Sequence, residues 1–97
     1  MQYSRIESFT TTKAVVVRKE ENINKLEVVN LMNGADISAD VNGVLLYGAA
    51  SPVGLRSVTF YAGEGRVFNQ DFIIRDYCDN LSCYLMNVLV IKTILEE

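Results

Sequence analysis

Leu81-Ser82-Cys83-Tyr84-Leu85-Met86-Asn87-Val88-Leu89-Val90-Ile91-Lys92-Thr93-Ile94-Leu95 is the stretch on which the fold class turns. With the residues before it, Ile74, Tyr77, Leu81, Tyr84, Val88, Ile91 and Leu95 recur at spacings of three and four, a helical seam taken literally. Asp79 or Asn80 would cap such a helix. Three features oppose it. Val88, Val90, Ile91, Thr93 and Ile94 are β-branched and stiff at χ1. Glu96 and Glu97 are the wrong sign for a helix C-terminus. Ser82, Asn87, Lys92 and Thr93 fall on no single helical face. The segment is expected to be a strand, the alternative being an α+β fold with a C-terminal helix. Its polar breaks leave it short of the roughly 18 to 20 apolar residues of a membrane helix.

As a strand, the segment makes Asp79-Asn80-Leu81-Ser82 a four-residue hairpin loop. Cys78 then faces Cys83, and Tyr77 faces Tyr84. Opposed Cα atoms about 4.5 to 5.5 Å apart suit a disulfide, while two partly buried thiols are the plainer reading. Without histidine, two cysteines five apart cannot complete a zinc site within one chain, and the spacing is wrong for a Cys-x-x-Cys redox pair.

Further outward, Asn33-Gly34 and Asn42-Gly43 are hairpin turn signals, because Asn-Gly adopts positive φ at low cost. They divide Leu26–Met32, Ala35–Val41 and Val44–Ala50 into a three-stranded meander. Ser51-Pro52-Val53-Gly54 reads as a type I turn. Leu55–Ala62 reads as a strand on Val58, Thr59, Phe60 and Tyr61. Gly63-Glu64-Gly65 turns the chain again. Val67–Tyr77 alternates, with Phe68, Gln70, Phe72 and Ile74 on one face. Phe9–Arg18 is a further strand, with Lys19–Lys25 as its exit loop or, alternatively, the start of a short helix ending at Gly34. The expected architecture is one all-β domain spanning residues 1–97, an antiparallel meander of six to seven strands closed as a small barrel or sandwich.

Composition narrows function by exclusion. The chain has 97 residues, 49% of them hydrophobic, with nine basic against twelve acidic side chains. The basic residues are scattered, and the acids Glu20-Glu21 offset the one adjacent pair, Arg18-Lys19, so nucleic-acid binding is not expected. A Ser-His-Asp triad is impossible without histidine. Of four lysines only Lys92 has apolar neighbours, as a serine–lysine site would need, and a strand-edge lysine that blocks aggregation explains it more simply. Asp71 with Asp76, and Asp36 with Asp40, are the candidate paired carboxylates, more simply read as solvated strand faces. Gly63-Glu64-Gly65-Arg66 is an incomplete phosphate loop. No enzymatic activity and no cofactor are expected.

Protein–protein contact remains. The C-terminal strand is apolar on both faces and needs a cover on each. A second subunit would supply one cover, with Leu85–Leu95 or the edge Phe9–Val17 as the contact. A sandwich or barrel that buries the strand internally would do as well. Tyr47, Tyr61, Tyr84, Val88 and Val90 are the candidate partner-binding residues. The expected function is a non-enzymatic interaction protein: an inhibitor, immunity protein or phage accessory factor, with a homo-oligomer expected. The alternatives are a structural subunit of an assembly or virion, and a small ligand-binding barrel. Met1–Ser8 mixes charges of both signs and lacks the apolar block of a secretory signal, so a cytoplasmic location away from membranes is expected. A mature form whose signal has been removed would read the same.

Overall fold

A computed structural model describes residues 1–32, 37–48, 55–77 and 85–96, with the side chains of residues 37 and 38 excepted. In chain order the elements are β1 (Gln2–Thr11), β2 (Val15–Val17), a 3₁₀ turn (Lys19–Glu21), β3 (Ile23–Asn30), β4 (Ile37–Val41), β5 (Val44–Tyr47), β6 (Ser57–Tyr61), β7 (Phe72–Arg75) and β8 (Met86–Leu95). They form two four-stranded antiparallel sheets, ordered β1-β8-β3-β6 and β2-β7-β4-β5, packed as a sandwich rather than closed as a barrel.

The C-terminal segment is a strand. Met86, Val88, Val90, Lys92 and Ile94 of β8 face the interior, and the alternate residues form the outer surface. Between the sheets lie Leu26 and Val28 of β3, Val17 of β2, Val41 of β4, Leu46 of β5, and Phe72 and Ile74 of β7, all buried. The Phe72 ring packs 4.9 Å, centroid to centroid, from both Phe60 and Phe68. Asn30 is a polar tie across this core. Its Nδ2 donates to the carbonyls of Leu46 (3.0 Å) and Tyr47 (2.9 Å) in the opposite sheet, and its Oδ1 accepts from the Met32 N–H (2.9 Å).

The Asn42-Gly43 turn forms as expected. Val41 pairs with Val44, and Asn42 and Gly43 take φ of 48° and 92°. The Gly43 N–H donates to Asp40 Oδ1 (3.1 Å), and Asn42 Oδ1 accepts from the Ile73 N–H (2.9 Å), tying the turn to β7.

The meander does not form. β3 pairs with β8 and β6, while β4 lies in the other sheet, so the chain crosses the sandwich between them. The expected Phe9–Arg18 strand is likewise two strands. The chain leaves β1 after Thr11 and enters the second sheet at Val15. β6 and β7 also sit in different sheets, joined through a turn at Glu64 and Gly65 with the Arg66 N–H donating to the Gly63 carbonyl (3.0 Å). Of the expected Val67–Tyr77 strand, the structure makes only Phe72–Arg75 a strand. In place of a helix after Lys19 there is a single 3₁₀ turn, and β3 begins at Ile23. β7 and β8 belong to different sheets, so they do not make the hairpin expected across Asp79–Ser82. The Asn33-Gly34 and Ser51–Gly54 turns, the Cys78/Cys83 pairing and Asp36 lie outside the described residues.

Candidate functional site at the free edge

Among the described residues, β1 is the longest of the four sheet edges, and it is paired on one side only. It runs antiparallel to β8 over all ten residues, from Gln2 opposite Leu95 to Thr11 opposite Met86. Antiparallel pairing alternates residues that exchange both main-chain hydrogen bonds with residues whose N–H and C=O point the other way. The phase is set one residue beyond the strand, where Met1 N donates to the Glu96 carbonyl (2.6 Å) and Glu96 N donates to the Met1 carbonyl (2.7 Å). The other side of β8 agrees, because the Asn87 carbonyl turns toward β3 and accepts from the Leu31 N–H (2.8 Å). Odd-numbered residues of β1 therefore bond to β8. Gln2, Ser4, Ile6, Ser8 and Thr10 turn their main-chain groups outward, and Ile6 is 64% exposed.

The inner face of β1 overhangs β2, the edge of the second sheet. Arg5, Glu7, Phe9, Val15, Glu21 and Lys92 line the groove between them. At its floor, Lys92 Nζ donates to Glu7 Oε1 (2.7 Å) and Glu21 Oε1 (2.8 Å). The 3₁₀ turn holds Glu21 in place, because its Oε2 accepts from the Arg18 N–H (3.0 Å). Burial alone would push Lys92 down, but the hydrogen bonds and charges of the two glutamates outweigh it and hold the ammonium above the ordinary lysine range. Burial would likewise raise Glu21. Lys92, the Arg18 N–H and the charge of Arg5 outweigh it and hold the carboxyl below its usual range.

This geometry corrects the reading of Lys92 as an edge lysine. The residue sits on β8, flanked by β1 and β3, with its side chain 7% exposed. A lysine held this firmly protonated is the opposite of what a general base requires. Two carboxylates read as solvated are also buried. Asp40 lies beside Arg75 Nε at 3.7 Å, and Asp76 is buried after β7. Asp71 is exposed, and its Oδ1 accepts from the Lys19 N–H (2.8 Å).

The candidate partner-binding residues do not converge on one surface. Val88 and Val90 are fully buried in the core, so the sandwich itself covers the inner face of β8. Tyr61 is 60% exposed on β6, the edge opposite β1. Tyr47 is half-buried on β5, and Tyr84 lies outside the described residues. Sequence reasoning missed the acids that hold Lys92, which stand 85 and 71 residues away with no local signal. It also missed the first half of β1. There the available signal was the alternation of Tyr3, Arg5, Glu7 and Phe9 with small polar residues around Ile6.

Among the described residues, no group of three or more metal-ligating side chains converges, and no helix is long and apolar enough to cross a membrane. No protein-family model, characterised protein or solved structure shows significant similarity to this chain.

Proposed function

We propose that this protein is an interaction module that binds a protein partner by strand addition along β1. The observation that carries this reading is the ten-residue strand with one side unpaired among the described residues, offering outward N–H and C=O groups at five alternate residues. Exposed edges of that length recruit extended chains, since main-chain hydrogen bonds supply affinity and alternate side chains supply selectivity. β1 lacks proline, and no register shift interrupts its pairing with β8, so neither of these edge-blunting devices is present. Its charged Arg5 and Glu7 lie on the groove side and leave the outward main-chain groups open.

Ile6→Pro tests this directly. The Ile6 N–H points away from β8, so proline removes an edge donor while leaving the β1–β8 bonds in place. Native mass spectrometry of the protein recovered from its own host should find a bound protein on the wild type. The same partner should be lost from Ile6→Pro, with the melting temperature moved by no more than a few degrees. Retention by both proteins would refute the reading.

A further inference from the structure

Building on strand addition at β1, we infer that the occupant of this edge is β1 of a second copy, paired antiparallel about a twofold axis through Ile6. Three independent constraints select that arrangement.

The first is hydrogen-bond phase. Only even-numbered residues of β1 present main-chain groups outward, so an outward residue must face an outward residue. That removes every register in which an even position meets an odd one.

The second is charge. Among the remaining registers near the strand centre, pairing Ile6 with the partner's Ile6 sets Arg5 against the partner's Glu7 and, by symmetry, Glu7 against the partner's Arg5. Sliding by two residues in one direction sets Arg5 against the partner's Arg5, and in the other direction Glu7 against the partner's Glu7. Like charges directly opposite one another destabilise a sheet, and opposite charges stabilise it. Glu7 can serve both contacts, because it holds Lys92 through Oε1 and its Oε2 has no partner among the described residues.

The third is the rest of the strand. The same register places Tyr3 against the partner's Phe9, Ser4 against the partner's Ser8 and Gln2 against the partner's Thr10. Tyr3-Ser4-Arg5-Ile6-Glu7-Ser8-Phe9 is thus a chemical palindrome, as a self-complementary twofold contact requires. Five outward pairs exchange two bonds each, about ten in all. The β1-β8-β3-β6 sheets of the two copies join into one continuous sheet with four strands from each copy. The contact is small for a specific interface, so the dimer should dissociate in about the micromolar range.

Sedimentation equilibrium of the full chain from about 10 nM to about 1 mM, well below and well above that range, tests the proposal. The wild type should pass from monomer to dimer without larger species. Arg5→Glu sets an acid against the partner's Glu7 at both ends and should weaken dimerisation at least about tenfold, as should Ile6→Pro. Register is read by oxidative cross-linking, with the wild type as control for the native thiols. Ile6→Cys should couple to itself, while Ser4→Cys and Ser8→Cys should couple to each other but not to themselves. A monomer throughout the range overturns self-pairing. Strand addition itself would then still stand if Ile6→Pro lost the host partner. A dimer unaffected by both substitutions forms through another surface and overturns self-pairing, while strand addition falls only if Ile6→Pro also keeps the host partner. Self-coupling of Ser4→Cys or Ser8→Cys without Ile6→Cys overturns the register.

Discussion

Replacing both acids that hold Lys92, in the variant Glu7→Gln/Glu21→Gln, should destabilise the fold more than removing the lysine itself. The asymmetry follows from burial. The Lys92 side chain is 7% exposed, whereas those of Glu7 and Glu21 are 34% and 29% exposed. With both acids gone, a buried ammonium keeps two amide oxygens but has no opposing charge. That places the cost near 3 kcal/mol, the low end of the roughly 3–5 kcal/mol for breaking a buried pair. Lys92→Met forfeits two charge-assisted hydrogen bonds, about 1.5–3 kcal/mol each, but also abolishes the ammonium's desolvation penalty of several kcal/mol. The two Oε1 atoms lie at most 5.5 Å apart, the 2.7 Å and 2.8 Å contacts laid end to end. At an effective dielectric of 20 their repulsion is about 3 kcal/mol, and both carboxylates can relieve it by turning into water. The net cost should be about 1 kcal/mol, leaving a gap of about 2 kcal/mol between the variants.

Urea unfolding followed by circular dichroism and tyrosine fluorescence gives the comparison, the chain having no tryptophan. Two protein concentrations separate folding from any linked dimerisation. The pH profile is a second readout. Glu21 is depressed below its ordinary 4.5, so its contribution is complete above that value and lost as pH falls through the folded-state value. Lys92 is raised above 10.5, so its contribution is complete below that value and lost as pH rises through the folded-state value. Lys92→Met should flatten both wings. If Lys92→Met proves the costlier variant, the ammonium is hydrated and the reasoning fails.

Asn30→Ala should cost about 2–4 kcal/mol by chemical denaturation, since it leaves the Leu46 and Tyr47 carbonyls and the Met32 N–H without their side-chain partner. Gly43→Ala should cost about 1–2 kcal/mol from positive φ alone, because nothing lies within 4 Å of where its Cβ would stand. A much larger loss in melting experiments would point to a clash the structure does not contain. Arg75→Ala should shift stability by less than about 0.5 kcal/mol, its side chain being 66% exposed and 3.7 Å from Asp40. Asp40→Ala should cost about 1.5–3 kcal/mol through the Gly43 N–H. Equal effects at the two positions would show that the ion pair, rather than the turn, uses the carboxylate.

Local chemistry was legible and connectivity was not. Asn42-Gly43 announces its turn because the requirement for positive φ is met by two adjacent residues. The β-branched run in β8 announces a strand for the same kind of reason. Whether the strand after a turn pairs back or crosses to the opposite sheet depends on burial partners far away in sequence. That is why a meander was expected where β3 and β4 are split between sheets. Residues 2–8 carry no apolar alternation, because one face of β1 meets solvent and the other a polar groove. Lys92 looked like an edge residue because the acids that neutralise it arrive from β1 and the 3₁₀ turn. Asn30, inside an apolar run, gave no hint that its amide would tie the two sheets together.

β8 sits between β1 and β3, and its pairing with β1 joins residues from opposite ends of the sequence. As the chain is synthesised, β1 and β3 therefore emerge with no strand to separate them, and their inward side chains wait for β8, which is made after both. Closing a loop that spans nearly the whole sequence before those contacts can form makes assembly of the sheet a late and slow event. During that interval β1 has two open sides rather than one. A nascent or partly folded chain is then the state most exposed to mispairing.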